Sequence, residues 1–331
     1  MTLRPNYVFA LPALALATLL TACGDDESTE PADQGGTDAG MNTGSDGASE
    51  TDAGTSDGGE TTADTGPVVP EGPQPAAPLA YSGGECPTFA AGTNSIVARG
   101  EDRTFDLYLP SDPEGAGLTF AWHGAGDSAA NFGRAISAQA LANNYDTVVI
   151  VPNALSPDEA FSWQIVAGAD NEIDLVFFDD MLSCAVEQYG LNTSYVYTTG
   201  FSAGALWSTY LVMNRAPHLA AAVIFSGGVS TFTFPYTTPA NEVPVILTHG
   251  GPQDQVVVQF STATEEFGTA LANDGSIVFV CNHNRGHTVP QEAGTFAFPF
   301  MFETRFGVVS DEYTGDAPDS WPSWCERRYA E

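Results

Sequence analysis

The residues with the clearest capacity for chemistry are Gly200-Phe201-Ser202-Ala203-Gly204. An apolar, β-prone run (residues 195–199) leads into this pentapeptide, and a helix-forming run (residues 205–213) leads out of it. A serine on a tight turn from strand to helix holds its hydroxyl above the sheet edge. The bare glycines two residues to either side permit close backbone approach. A serine hydroxyl is a weak nucleophile at neutral pH, so Ser202 needs a base beside it and an acid behind that base.

In this arrangement the acid and then the base follow the nucleophile along the chain. Four histidines qualify: His218, His249, His283 and His287. His218 falls at the end of the helix after the turn, at an expected surface position. His249 ends a strand but precedes any suitable acid. His283 and His287 share the loop after the strand at residues 276–280. His287, next to Gly286, is the expected base, with His283 as the alternative. Two histidines four apart also fit a metal, but no acidic or cysteine partner accompanies them, so no metal and no cofactor is expected. Asp254 follows the strand at residues 243–248 through a glycine turn and is the expected acid. Glu242 and Asp274 precede strands, at the opposite sheet edge, and Glu265 and Glu266 fall inside a helix. The oxyanion of a tetrahedral intermediate needs N–H donors. Those of Ala203 and of Ala125, in His123-Gly124-Ala125-Gly126, are expected to serve, with Gly124 as the rival of Ala125.

These groups need a scaffold that gathers distant loops at one edge. Strand-like runs at residues 104–109, 118–122, 147–151, 195–199, 221–225, 243–248 and 276–280 alternate with helical spacing at 129–143, 173–189, 205–213 and 262–273. An aromatic-rich closing segment covers 296–306. Continuous apolar strands alternating with helices predict a mostly parallel sheet covered on both faces, with ligands beyond the strands' carboxyl ends. Trp163, Trp321, Trp324 and the aromatics of 296–306 read first as core, and second as the wall of a groove for a sugar or polyester.

The ends of the chain have a different character. Residues 1–23 read as an export signal peptide: Arg4, then an apolar stretch too short to span a bilayer comfortably, then Leu20-Thr21-Ala22-Cys23. Residues 24–80 hold thirteen acidic residues, no basic one and almost nothing apolar, the composition of an extended tether. Residues 81–331 suffice for one domain with a large core. The formal net charge is −33, and all nine basic residues are arginine. That balance excludes nucleic acid and anionic membrane surfaces as partners. Apart from Cys23, the chain has Cys86, Cys184, Cys281 and Cys325, which allow three disulfide pairings. Cys184, on an apolar helical face, also fits a buried free thiol.

Leu20-Thr21-Ala22-Cys23 resembles a bacterial lipoprotein cleavage box, which implies lipidation at Cys23 and a place on the cell envelope, with the lipid as the one membrane contact. The domain resembles the α/β-hydrolase superfamily, and within it the extracellular poly(3-hydroxybutyrate) depolymerase and feruloyl esterase group. The resemblance spans about residues 95–310. It rests on the segment from Arg103 to Pro110, the His123-Gly124 loop, Gly200 to Gly204, His249-Gly250 before Asp254, and Gly286-His287-Thr288 with Pro290. In two places the chain departs from the group: Val289 stands where tryptophan is usual, and Asp254 comes one residue late after His-Gly. The resemblance implies a secreted serine carboxylic ester hydrolase acting on polyester, hydroxycinnamoyl-sugar or acetyl-sugar substrates. Two other readings use the same residues: a serine peptidase, and a non-catalytic surface binding protein on the hydrolase scaffold.

Overall fold

The computed structural model describes residues 72–155 and 162–331. The chain divides into two units, Met1–Asp64 and Thr65–Glu331, and every described residue belongs to the second. The expected signal peptide, Cys23 and the tether as far as residue 71 lie outside the described residues. Residues 72–80, which composition assigns to the tether, are partly fixed. The Ala76 N–H donates to the Pro217 carbonyl at 2.8 Å, and the Pro73 carbonyl accepts from Arg305 at 3.4 Å. Among the described residues, attachment to the folded region is present from Pro73 on, because backbone groups there find partners that a composition count does not register.

The described strands are β1 (Gly92–Ala98), β2 (Glu101–Tyr108), β3 (Gly117–Trp122), β4 (Thr147–Pro152), β5 (Val196–Phe201), β6 (Ala221–Phe225), β7 (Val245–His249), β8 (Val278–Asn282) and β9 (Cys325–Arg328). They form one sheet in the order β1-β2-β4-β3-β5-β6-β7-β8-β9. Pairing is parallel from β4 through β8 and antiparallel for β1–β2, β2–β4 and β8–β9. Every position of β3, β4, β6 and β7 is buried. A strand covered on both sides can be apolar throughout, as these runs are.

The helices are α1 (Ala129–Ala135), α2 (Ala138–Tyr145), α3 (Glu172–Tyr189), α4 (Ala203–Asn214), α5 (Phe260–Asn273) and α6 (Ala293–Glu303). Successive strand residues point to opposite faces. Phe120, Ile150, Ile224 and Leu247 pack with α3, α4 and α5. Val223, Phe225, Ile246 and Phe279 pack with α6, and Val149 and Val151 with α1 and α2. The chain leaves β3 for β4 on one side and reaches β5 on the other. The crevice at that reversal, beyond the carboxyl ends of β3 and β5, is where an open parallel sheet offers space to a ligand.

Four differences from the sequence-based expectations have physical reasons. The helix expected over 129–143 breaks at Ser137, which stands at φ 54°. Phe132 and Leu141 are nine positions apart, which turns them to roughly opposite sides of one continuous helix. The break lets both enter the same apolar cluster. His218, expected at the surface, is 8 % exposed and pairs through Nδ1 with the Ala76 carbonyl at 3.2 Å. Cys184 is not a free thiol, since it bonds to Cys86 and fastens the segment before β1 to α3. Residues 325–328, too short and charged to read as a strand, form β9, held to β8 by Cys281–Cys325. Trp163, Trp321 and the α6 phenylalanines Phe296 and Phe300 are buried in the core rather than lining a groove. No described helix is long and apolar enough to cross a membrane.

The Cys281–Cys325 bridge closes a separation of 44 residues. Replacing both cysteines by serine is expected to lower the unfolding free energy by about 2–4 kcal/mol. Denaturant unfolding with tryptophan fluorescence checks this, and an unchanged midpoint would show that the staple adds no stability.

Candidate active site

The candidate nucleophile is set by backbone packing. Ser202 sits between the last residue of β5 and the first of α4 at φ 58°, ψ −118°, a conformation that residues with side chains rarely adopt. The turn is that tight because neighbouring backbones almost touch. A Cβ on Gly204 would lie 2.0 Å from the Trp122 carbonyl oxygen, and one on Gly200 would lie 2.4 Å from that of Gly204. Both glycines are therefore steric requirements, as the motif predicts. The Ser202 N–H donates to the Phe225 carbonyl at 3.0 Å, and its carbonyl accepts from Leu206, which starts α4.

His287 reaches Ser202 from the loop after β8. Its Nε2 is 2.8 Å from Ser202 Oγ, and its Nδ1 is 2.6 Å from Asp254 Oδ1. Asp254 is fully buried. Burial pushes its carboxyl upward, but hydrogen bonds from His287, from the Gly250 N–H and from Ser226 outweigh this and hold it below the ordinary aspartate range. An ionised carboxylate only accepts, so Nδ1 carries a proton. In a neutral ring Nε2 is then the acceptor, and the Ser202 hydroxyl donates to it. The line has the polarity a proton transfer from serine to histidine needs.

The late position of Asp254 after His249-Gly250 is absorbed by a turn of 3-10 helix, Gly251–Gln253. The Gly250 N–H donates back to Asp254 Oδ2 at 2.8 Å. The rivals stand elsewhere. Asp274 caps α5 and accepts from the Tyr236 hydroxyl. Glu265 lies 3.5 Å from His249 Nε2 and pairs with Arg328. His283 is 5 % exposed, and neither ring nitrogen has a hydrogen-bond partner among the described residues. Glu242 precedes β7, and Glu266 lies within α5. No group of three or more His, Cys, Asp or Glu among the described residues could hold a metal ion.

The loop after β3 adjoins the serine. A Cβ on Gly124 would lie 3.5 Å from Ser202 Cβ. Ala125 is exposed and Ala203 is buried at the start of α4. Among the described residues, neither N–H pairs with a backbone carbonyl outside the helices and strands. The loop is held from below by residues the sequence did not single out for this task. His123 is fully buried, and burial keeps its ring below the ordinary histidine range. Its Nε2 accepts from the Ala154 N–H at 3.4 Å, which leaves Nδ1 to donate to the Gly124 carbonyl at 2.8 Å. The Trp163 indole donates to the His123 carbonyl at 2.9 Å, and Ser162 accepts from the Gly126 N–H at 3.2 Å. Ser226 was also missed. It follows β6 at φ 58° and donates to Asp254 Oδ2 at 2.8 Å. A strand-end serine before two glycines reads as a turn, and only the β6–β7 pairing reveals what it faces.

The family described as Phospholipase/Carboxylesterase matches residues 178–300, a span that holds Ser202, Asp254 and His287. The native structure of pOPH superposes with a TM-score of 0.60 at 19 % identity, covering 75 % of this chain and 99 % of that one. Native sOPH gives 0.59 at 18 %, covering 75 % and 98 %. The chain has the α/β-hydrolase fold. The comparison with curated proteins finds no match.

Two outcomes are expected of this site. Ser226→Ala removes one donor from a buried carboxylate and should lower kcat/KM about ten-fold, read from initial rates on an activated ester. Asp254 has its pKa lowered on folding, so its contribution to stability is fully present above the ordinary aspartate range and is lost as pH falls through the folded value. The denaturant midpoints of wild type and Asp254→Asn should therefore converge on acidification. A gap that stays constant with pH would contradict this.

Proposed function

We propose that Ser202, His287 and Asp254 are the nucleophile, base and acid of an ester hydrolysis that passes through an acyl-enzyme. The observation that carries this is the unbroken line from Asp254 Oδ1 through His287 to Ser202 Oγ, at 2.6 and 2.8 Å. Ser202 attacks the ester carbonyl while His287 takes the hydroxyl proton. The N–H groups of Ala203 and Ala125 receive the oxyanion, a contribution of about 3–4 kcal/mol for one such donor. Collapse expels the alcohol, which leaves with the proton from His287. Water, deprotonated by the same ring, then releases the acid. Asp254 keeps the tautomer that presents Nε2 and stabilises the imidazolium.

The substrates proposed are a polyester or an acylated polysaccharide fragment: polyhydroxybutyrate, feruloyl esters or acetylated xylan. Support comes from the sequence resemblance around Arg103–Pro110 and Gly286–Pro290. The same reading sets the enzyme on the bacterial cell envelope, exported and anchored through a lipid on Cys23. Supporting it are the sequence Leu20-Thr21-Ala22-Cys23 and two disulfides of the kind that persist in oxidising compartments.

Ser202→Ala is expected to cut hydrolysis of p-nitrophenyl butyrate by at least about four orders of magnitude while leaving the circular dichroism spectrum unchanged. A fluorophosphonate probe should label the wild type and not this variant. A folded wild type that resists the probe would instead favour a binding protein on the hydrolase scaffold. Turnover of polyhydroxybutyrate, methyl ferulate, acetylated xylan and a peptide panel ranks the substrates.

A further inference from the structure

Hydrogen bonds at its two nitrogens fix where the ends of the His287 ring point, but they leave the ring free to rock about the line joining them. Two phenyl rings restrict that motion. The Phe260 ring lies 4.8 Å from the imidazole, centroid to centroid, with planes 14° apart, and the Phe201 ring lies 4.7 Å away at 30°. We propose that Phe201 and Phe260 are positioning residues that keep the His287 imidazole in the plane of its hydrogen bonds and stabilise the positive charge it gains on taking the Ser202 proton. The proposal rests on the reading of His287 as the base.

The origin of each phenyl supports the assignment. Phe201 immediately precedes Ser202, and its partly exposed ring packs against both apolar clusters on the α1, α2 and α6 side of the sheet. Phe260 begins α5, is 3 % exposed, and its N–H donates to the Asp254 carbonyl at 3.0 Å. One phenyl is thus carried by the neighbour of the nucleophile and the other by a residue bonded to the acid, so a shift of the ring relative to either partner is resisted by both. The edge-positive, face-negative charge distribution of benzene rings attracts a cation placed over the face. The attraction is greatest for the charged ring formed during turnover, so it acts on the barrier rather than on substrate binding. His287 is only 21 % exposed, which limits competition from water.

Kinetics of Phe260→Leu, Phe260→Tyr and Phe201→Leu on p-nitrophenyl butyrate test this. Phe260→Leu is expected to lower kcat about ten-fold with KM changed by less than about two-fold, and Phe260→Tyr to restore most of the loss. Fluorophosphonate labelling of Ser202 should slow in parallel, because it needs the same base. Phe201→Leu, at a partly exposed position, should act in the same direction and serves where Phe260→Leu does not fold. Wild-type kcat in the folded leucine variants, a loss confined to KM, or a tyrosine variant no better than leucine would each overturn the proposal. Full activity in His287→Gln would instead overturn the assignment of the base, which keeps the two failures apart.

Discussion

At the turn after β5 the chain runs so close to itself that two carbonyl oxygens occupy the space side chains would need. A Cβ at Gly204 would meet the Trp122 oxygen at 2.0 Å, and one at Gly200 would meet the Gly204 oxygen at 2.4 Å. This close approach welds the start of α4 onto the end of β3. It makes Ser202 adopt φ 58° and brings the His123–Gly126 loop against the same serine. The proposed nucleophile and the loop proposed to stabilise its oxyanion are therefore parts of one packing contact. Strain of this kind persists only where the surroundings over-determine it, and here fully buried strands on either side of β5 do so.

Much of this was legible in the sequence because it depends on local chemistry. Residues 118–122, 147–151 and 221–225 can be apolar throughout only if both faces are covered, and the glycine spacing around Ser202 states a steric need directly. The order of acid and base along the chain sets aside His123 and His249 as the base. Other features depend on partners far away in sequence. Ser226 is informative only once β6 and β7 lie side by side. The break at Ser137 answers a demand from the sheet below, not from the helix itself. Residues 325–328 look like a charged tail until Cys281 is seen opposite Cys325. Phe260 looks like an ordinary helix-start hydrophobe until His287 arrives from the next loop.

Buried charge serves the same region. Arg103 and Asp174 are 1 % and 2 % exposed and pair at 2.8 Å. Burial lowers the arginine's pKa and raises the aspartate's, so the pair is a weak source of stability by itself. Its geometric effect is clearer. Asp174 accepts from the Gln164 N–H, and Arg103 also reaches the Asn153 carbonyl, so both described ends of the segment that carries Ser162 and Trp163 are fixed. The Arg103 guanidinium also lies 4.0 Å over the Phe177 ring. Lysine would offer neither this forked reach nor the planar stacking, in a chain whose cations are all arginine.

The strand order carries a consequence for biosynthesis. β8 leads directly into the loop that bears His287, and its outer neighbour is β9, some forty residues further along the chain. While the ribosome is still making residues 325–328, β8 is an open edge and the histidine loop lacks its final support. The covalent link that secures this edge forms only where thiols are oxidised. Until the last strand is made, the serine and the histidine are thus carried on an unfinished sheet, and wherever the thiols stay reduced this edge is held by hydrogen bonds alone.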